Sequence, residues 1–160
     1  MSFCLIILAG GKSHRFNSSL SKPYQKIGSK SLIEIILEKS SKVKQIKKTI
    51  IVYNKKDRRK IKNLKLNNIK LIKGGKTRQE STFNALKLIQ KNKKISKVLI
   101  HDAARPNFSI KLLKNLINNL KKNKAVVPFI KSNDSIKYKL KGKFYNIDRK
   151  DTFLTQTPQA

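Results

Sequence analysis

The sequence predicts an α/β fold: one mostly parallel sheet with helices on both faces. Three observations point to it. Short apolar runs of strand length alternate with longer stretches of helical spacing. The first and fourth of those runs stop abruptly at chemically unusual turns, Ala9-Gly10-Gly11 and His101-Asp102-Ala103. At 160 residues the chain suits a single domain, residues 1–160, long enough to bury a real core.

Residues 3–8 form a continuous apolar run, as a parallel strand covered on both faces requires. Residues 9–15 are too glycine-rich for a helix interior and read as a turn. Residues 31–38 carry Leu32, Ile33, Ile35, Ile36 and Leu37, a helix with a broad buried face. Residues 49–53 form a second strand, 55–64 a basic helical stretch and 69–72 a third strand. Gly74-Gly75 precedes a helix over 77–89, with Thr77 and Glu80 spaced as a capping box. A fourth strand over 98–100 stops at His101-Asp102; a helix follows at 110–120 and a fifth strand at 125–129. Alternation in Ser135-Ile136-Lys137-Tyr138-Lys139-Leu140, then Gly142 and Phe144-Tyr145-Asn146-Ile147, predicts a hairpin protruding over 134–149. Residues 152–154 read as short and extended.

Composition narrows the function classes. The formal net charge is +31, which invites a nucleic-acid reading. Yet 33 of the 39 cations are Lys and only six are Arg, the residue whose fork suits base and phosphate recognition. Lys also travels with abundant Ile and Asn, the residue set of A/T-rich codons, so genome composition accounts for much of the charge. The positive field still favours an anionic substrate. No apolar run approaches the roughly 18 residues of a membrane span. The amino-terminal segment reads as a first strand rather than a signal peptide. A lone Cys4 forms no internal disulfide or Cys-rich zinc site, so a reducing cytoplasm is expected. Inside an apolar strand, Cys4 reads as a small core residue rather than a nucleophile.

Three of the unusual segments fall at the carboxyl ends of predicted strands, where ligands of open α/β sheets bind. The first combines Gly10, Gly11, Arg15 and Lys22: glycines admit phosphate oxygens to backbone N–H groups, and the cations neutralise their charge. It is neither a Walker A loop nor GxGxxG, and an ordinary strand-ending turn is the other reading. Asp102 is one of eight acids; there a hard oxygen could hold Mg²⁺ between nucleotide phosphates, or cap the next element. His101 reads as a packing or hydrogen-bonding residue. Gly74-Gly75-Lys76-Thr77-Arg78 offers either backbone donors to a ligand or a capped turn, and the two are compatible. The spacing of Arg149 and Thr157 assigns them nothing.

Taken together, these segments resemble the 2-C-methyl-D-erythritol 4-phosphate cytidylyltransferase family. The matching pieces are Leu8-Ala9-Gly10-Gly11 through Arg15, Lys22 with Tyr24, and Gly74-Gly75-Lys76-Thr77-Arg78-Gln79-Glu80-Ser81. They continue as Val98-Leu99-Ile100-His101-Asp102-Ala103-Ala104-Arg105-Pro106, Asp134-Ser135-Ile136-Lys137 and Gln156-Thr157-Pro158-Gln159. The resemblance implies a Rossmann-like, nucleotide-diphospho-sugar transferase-like fold. It implies transfer of CMP from CTP to a sugar-alcohol phosphate with release of pyrophosphate. Arg15 and Lys22 would stabilise charge on the α-phosphate. Ala9, Gly10, Gly11, Gly75, Ser81 and Ala103 would frame the nucleotide, and Asp102 would ligand Mg²⁺. Ser135, Arg149 and Thr157 would grip the acceptor phosphate, with the 134–149 hairpin as the arm of a homodimer.

Departures from the family pattern are also visible. Ser13 stands where the family has Gly, Ser21 where it has Pro, and Ser135 where it has Thr. Leu8-Ala9-Gly10-Gly11-Lys12-Ser13 is also similar to the start of molybdenum-cofactor guanylyltransferases. Against the family pattern, the portion beyond Gln-Thr-Pro-Gln, with a further acidic metal ligand and a second catalytic lysine, is expected to be missing. Two rivals share these motifs: a ribitol-5-phosphate cytidylyltransferase, and a non-catalytic remnant that binds polyanions through its Lys surface.

Overall fold

The computed structural model describes residues 2–11, 20–62, 64, 68–92 and 94–160. Its centre is strand β1 (Phe3–Ala9), with every residue but Leu8 buried. Strand β1 runs parallel to β4 (Ile46–Tyr53) on one side and to β6 (Lys97–Asp102) on the other, and β5 (Ile69–Lys73) extends the sheet beyond β4. In the order β5-β4-β1-β6 the sense of strand addition reverses between β1 and β6 while all four strands stay parallel, the topological position where such sheets bind ligands. Between β1 and β4 lie a two-residue hairpin pair, β2 (Lys26–Ile27) and β3 (Lys30–Ser31), and helix α1 (Leu32–Ser41).

Alternation along β1 builds two core layers. Phe3, Leu5, Ile7 and Ala9 pack with Ile33 and Ile36 of α1 and with Leu113, Leu116 and Ile117 of α4 (Ile110–Leu120). Cys4 and Ile6 face the other way, onto Ala85 and Ile89 of α3 (Arg78–Gln90) with Ile50 and Val52 of β4. The continuous apolar run is thereby explained: both faces of β1 are covered. The buried Cys4 thiol is pushed up to about 12 by desolvation, so it serves as core.

Caps set the helix starts. Ser31 and Glu34 form a reciprocal capping box on α1, Thr77 Oγ1 accepts from Glu80 N (3.0 Å) on α3, and Ser109 Oγ accepts from Leu112 N (3.0 Å) on α4. The box expected at Thr77 closes differently, because the Glu80 carboxylate accepts from Lys76 N (2.7 Å) instead.

Two elements differ from the sequence expectation. The basic stretch over 55–64 divides into a 3₁₀ turn (Lys55–Asp57), capped by Asn54, and the short helix α2 (Arg58–Lys62). Residues 125–129 do not add a fifth parallel strand. Val126 exchanges backbone hydrogen bonds with Ala160 (2.7 and 2.9 Å), while β7 (Phe129–Lys131) pairs antiparallel with β10 (Phe153–Thr155). The returning chain sits between them and the sheet: Gln159 pairs antiparallel with Ile100 at the outer edge of β6. An apolar run of five residues carries no information about its partner, and the partner here lies about thirty positions on. The predicted hairpin is present as β8 (Ile136–Leu140) and β9 (Lys143–Ile147), turning through Lys141 and Gly142 in the left-handed region. No helix among the described residues is long and apolar enough to cross a membrane.

Candidate functional site

Parallel pairing brings the carboxyl ends of β1, β4, β5 and β6 to one edge of the sheet, with Ala9 opposite Tyr53, Tyr53 opposite Lys73, and Leu8 opposite Asp102. Backbone bonds lace the turns that follow. Ala103 N donates to Leu8 O (3.1 Å) and Gly74 N to Tyr53 O (2.8 Å), while Asn54 Nδ2 donates to Gly10 O (3.3 Å). Ala9, Gly10, Gly75, Ser81, Asp102 and Ala103 are therefore held on one rim by three separate crossovers. A side chain at Gly10 would meet Tyr53 only at ordinary contact distance (3.8 Å), and none of the described residues comes within 4 Å of one at Gly11. Packing within the described residues requires neither glycine, which leaves both free to admit a ligand against the backbone.

Gly75 is different. A Cβ there would lie 2.4 Å from the Glu80 carboxyl carbon and 2.8 Å from its Cβ. Its N–H donates to the buried Ser81 Oγ (3.0 Å). Ser81 thus acts on the turn, fixing Gly75 over the first turn of α3.

Strand alternation sends His101 inward and leaves Asp102 partly open, its side chain 29% exposed. Arg78 Nε donates to Asp102 Oδ1 (3.2 Å), and Arg105 Nε lies 3.7 Å from Oδ2. Arg105 Nη1 also donates to Gln156 Oε1 (3.2 Å), which ties the segment carrying Thr157 to this rim. Beneath, His101 Nε2 lies 2.9 Å from Arg105 O, and the ring meets Phe108 edge-on with centroids 4.7 Å apart. Burial pushes the His101 pKa down to about 4, so the ring is neutral at pH 7. The carbonyl partner assigns the proton to Nε2, and the buried Nδ1 has no hydrogen-bond partner among the described residues. Lys39 of α1 closes the same loop from outside, donating to Pro106 O (2.8 Å) and Phe108 O (3.1 Å).

Among the described residues no three His, Cys, Asp or Glu side chains gather as a metal cage. Mg²⁺ does not need one: it commonly takes one or two carboxylates, with phosphates and waters completing its octahedron. A half-open carboxylate on the crevice rim fits that requirement, and Asp102 supplies it.

Lys22 begins a short 3₁₀ turn (Lys22–Tyr24) anchored through its neighbour, because Ser21 Oγ donates to Asp57 Oδ1 (3.1 Å). Asp57 is fully buried, with Lys60 Nζ 3.6 Å from the same oxygen, so the Lys22 turn is fastened to the chain leaving β4. Arg15 lies outside the described residues. Arg149 Nη2 donates to Ser135 Oγ (3.2 Å) at the base of the hairpin, so these two predicted acceptor residues meet. Among the described contacts, no hydrogen bond or ion pair joins that couple to Asp102. The buried Thr157 hydroxyl has no hydrogen-bond partner among the described residues. Sequence reasoning passed over Arg78, Asn54 and Gln156. A signal existed for Arg78 and Arg105: they are two of only six arginines in a lysine-rich chain, where codon bias does not explain them. Asn54 and Gln156 carry no such mark.

The family model described as IspD, 2-C-methyl-D-erythritol 4-phosphate cytidylyltransferase, matches residues 3–160. The chain is 48% identical over all 160 residues to the bifunctional enzyme IspD/IspF of Pelagibacter ubique, and spans 43% of that protein. It is 35% identical to a 2-C-methyl-D-erythritol 4-phosphate cytidylyltransferase of Clostridium botulinum, with 98% of this chain and 70% of that one covered. Among solved structures, the 4-diphosphocytidyl-2C-methyl-D-erythritol synthase of Anaerococcus prevotii superposes with a TM-score of 0.85 at 34% identity, covering 99% of this chain and 69% of that one. The bifunctional IspDF of Campylobacter jejuni follows at 0.79 and 30%, covering 99% and 40%. A match of this extent, on a chain whose glycine turns and Asp102 share one sheet edge, establishes that the protein belongs to the 2-C-methyl-D-erythritol 4-phosphate cytidylyltransferase family.

Proposed function

We propose that this chain transfers CMP from CTP to 2-C-methyl-D-erythritol 4-phosphate and releases pyrophosphate. The observation that carries the reading is the convergence of the open Gly10-Gly11 turn, the Gly75 turn and Asp102 on the rim at the sheet's switch point, in a chain of this family. In the reaction an oxygen of the acceptor phosphate attacks the α-phosphorus of CTP. The bond to the β-phosphate oxygen breaks, and pyrophosphate leaves with that electron pair. Positioning and neutralisation of charge supply most of such catalysis, so no protein nucleophile is needed. Arg15 and Lys22 neutralise the α-phosphate oxygens. Ala9, Gly10, Gly11, Gly75, Ser81 and Ala103 frame the nucleotide, and Asp102 holds Mg²⁺. Bound there, the metal would offset phosphate charge and orient the triphosphate.

Ser135, Arg149 and Thr157 take the acceptor phosphate. The hairpin serves as the arm of a homodimer: Phe144 is 69% exposed, and Tyr138 and Tyr145 stack in the open with ring centroids 5.2 Å apart, an apolar surface suited to a second copy. The reading places the enzyme in the cytoplasm.

The test is Mg²⁺-dependent pyrophosphate release from CTP with this chain, with methylerythritol 4-phosphate and ribitol 5-phosphate as parallel acceptors. Release that requires the first acceptor and falls at least a hundredfold in Asp102→Asn is expected. Release with ribitol 5-phosphate alone would reassign the acceptor, and no release with either would overturn the proposal for this chain.

A further inference from the structure

The two arginines on Asp102 are not equivalent. Arg105 is locked from three sides: its carbonyl by His101, its guanidinium by Gln156, and its turn by the Arg105 N to Asp102 O bond (3.1 Å). The two side chains are equally exposed, at 52%, but among the described residues the Arg78 guanidinium makes one hydrogen bond, from Nε to Asp102 Oδ1, with no second partner like the Gln156 that holds Arg105. Arg78 stands at the first position of α3, directly after the Gly74–Thr77 turn. From this position its guanidinium lies on the rim that carries both the Gly75 turn and Asp102. Asp102 with two guanidiniums nearby carries a local excess of one positive charge. A divalent cation added to the same carboxylate raises that to three, and repulsion at such separations in a half-open site is large.

We infer that Arg78 is a displaceable counter-ion: it holds Asp102 in the nucleotide-free protein, gives up the carboxylate when the divalent cation arrives, and turns to the triphosphate. The inference rests on the nucleotidyl-transfer reading and adds a residue to it. It makes metal and nucleotide binding cooperative, because each provides what the other's arrival leaves unpaired. Arg105, unable to leave, keeps Asp102 oriented throughout.

Opposite effects on two ligands distinguish this role from a structural one. Mn²⁺ binding to the full chain is followed by electron paramagnetic resonance of the free ion, with and without CTP. Without nucleotide, Arg78→Gln should tighten Mn²⁺ about fivefold, the weight of an exposed ion pair released. With Mn²⁺ saturating, the same variant should bind CTP about tenfold more weakly, having lost a charge-assisted bond to phosphate. Lys76→Gln removes the same charge two residues away without touching Asp102, and should leave Mn²⁺ affinity within twofold. If Arg78→Gln leaves Mn²⁺ affinity unchanged or lowers it, or if Lys76→Gln tightens it equally, the displacement is refuted. Asp102→Asn separates the two levels: Mn²⁺ binding that survives it refutes the metal site itself, whereas binding that it abolishes leaves only the role of Arg78 in question.

Discussion

His101 should make the stability of this protein fall steeply on mild acidification. In the unfolded chain its imidazole titrates at the ordinary value of 6.5; in the fold, burial lowers it to about 4. Between those values the unfolded chain binds a proton that the folded chain refuses. Stability therefore rises with pH through this window, is complete above 6.5, and is lost as pH falls toward 4. The linkage integral amounts to about 2 kcal/mol lost between pH 7 and pH 5, and about 3 kcal/mol by pH 4. His101→Gln keeps a donor able to reach the Arg105 carbonyl but removes the titrating ring. It should cost about 1 kcal/mol at pH 7 through the lost edge-on contact with Phe108. The assay is urea unfolding followed by circular dichroism at pH 7, 6 and 5 for both chains. The unaltered protein should lose about 2 kcal/mol more than the variant over that range. The second histidine, His14, is common to both chains and subtracts out. Parallel pH profiles would refute the argument that His101 is the buried neutral group responsible.

Gly75→Ala places a methyl group against Glu80 and should cost about 1–3 kcal/mol as an overpacked contact. CTP affinity measured by calorimetry should fall with it, and an unchanged unfolding midpoint would show that the turn relaxes freely. Ser21→Ala removes the hydroxyl bond to the buried Asp57, whose ion-pair partner among the described residues is Lys60, and should cost about 1–3 kcal/mol. Because Ser21 precedes Lys22, turnover should drop more than CTP affinity does; equal losses would argue against anchoring of the Lys22 turn.

Much of the fold was legible because its causes are local. The run ending at Ala9 is apolar throughout because both faces of β1 are covered, and the helix over 110–120 follows from the spacing of Leu113, Leu116, Ile117 and Leu120 behind Ser109. The hairpin was readable from alternation on either side of Gly142. Elements whose partners lie far along the chain were not. Residues 125–129 have strand composition, but pairing of Val126 with Ala160 and of Phe129 with Thr155 depends on a segment that returns only after the hairpin.

The same division runs through the site. Composition and order alone single out the glycine turns and Asp102, because each residue type is costly or unusual at the end of an apolar strand. What tertiary structure decided is which of them share a charge. Arg78 and Asp102 are 24 positions apart, Arg105 and Gln156 are 51, and Ser21 and Asp57 are 36. No periodicity or motif spacing encodes those encounters. They arise because parallel pairing of β1, β4 and β6 sets the register of three crossovers at once, and a carboxylate at the end of one strand then takes whichever cations the neighbouring crossovers deliver.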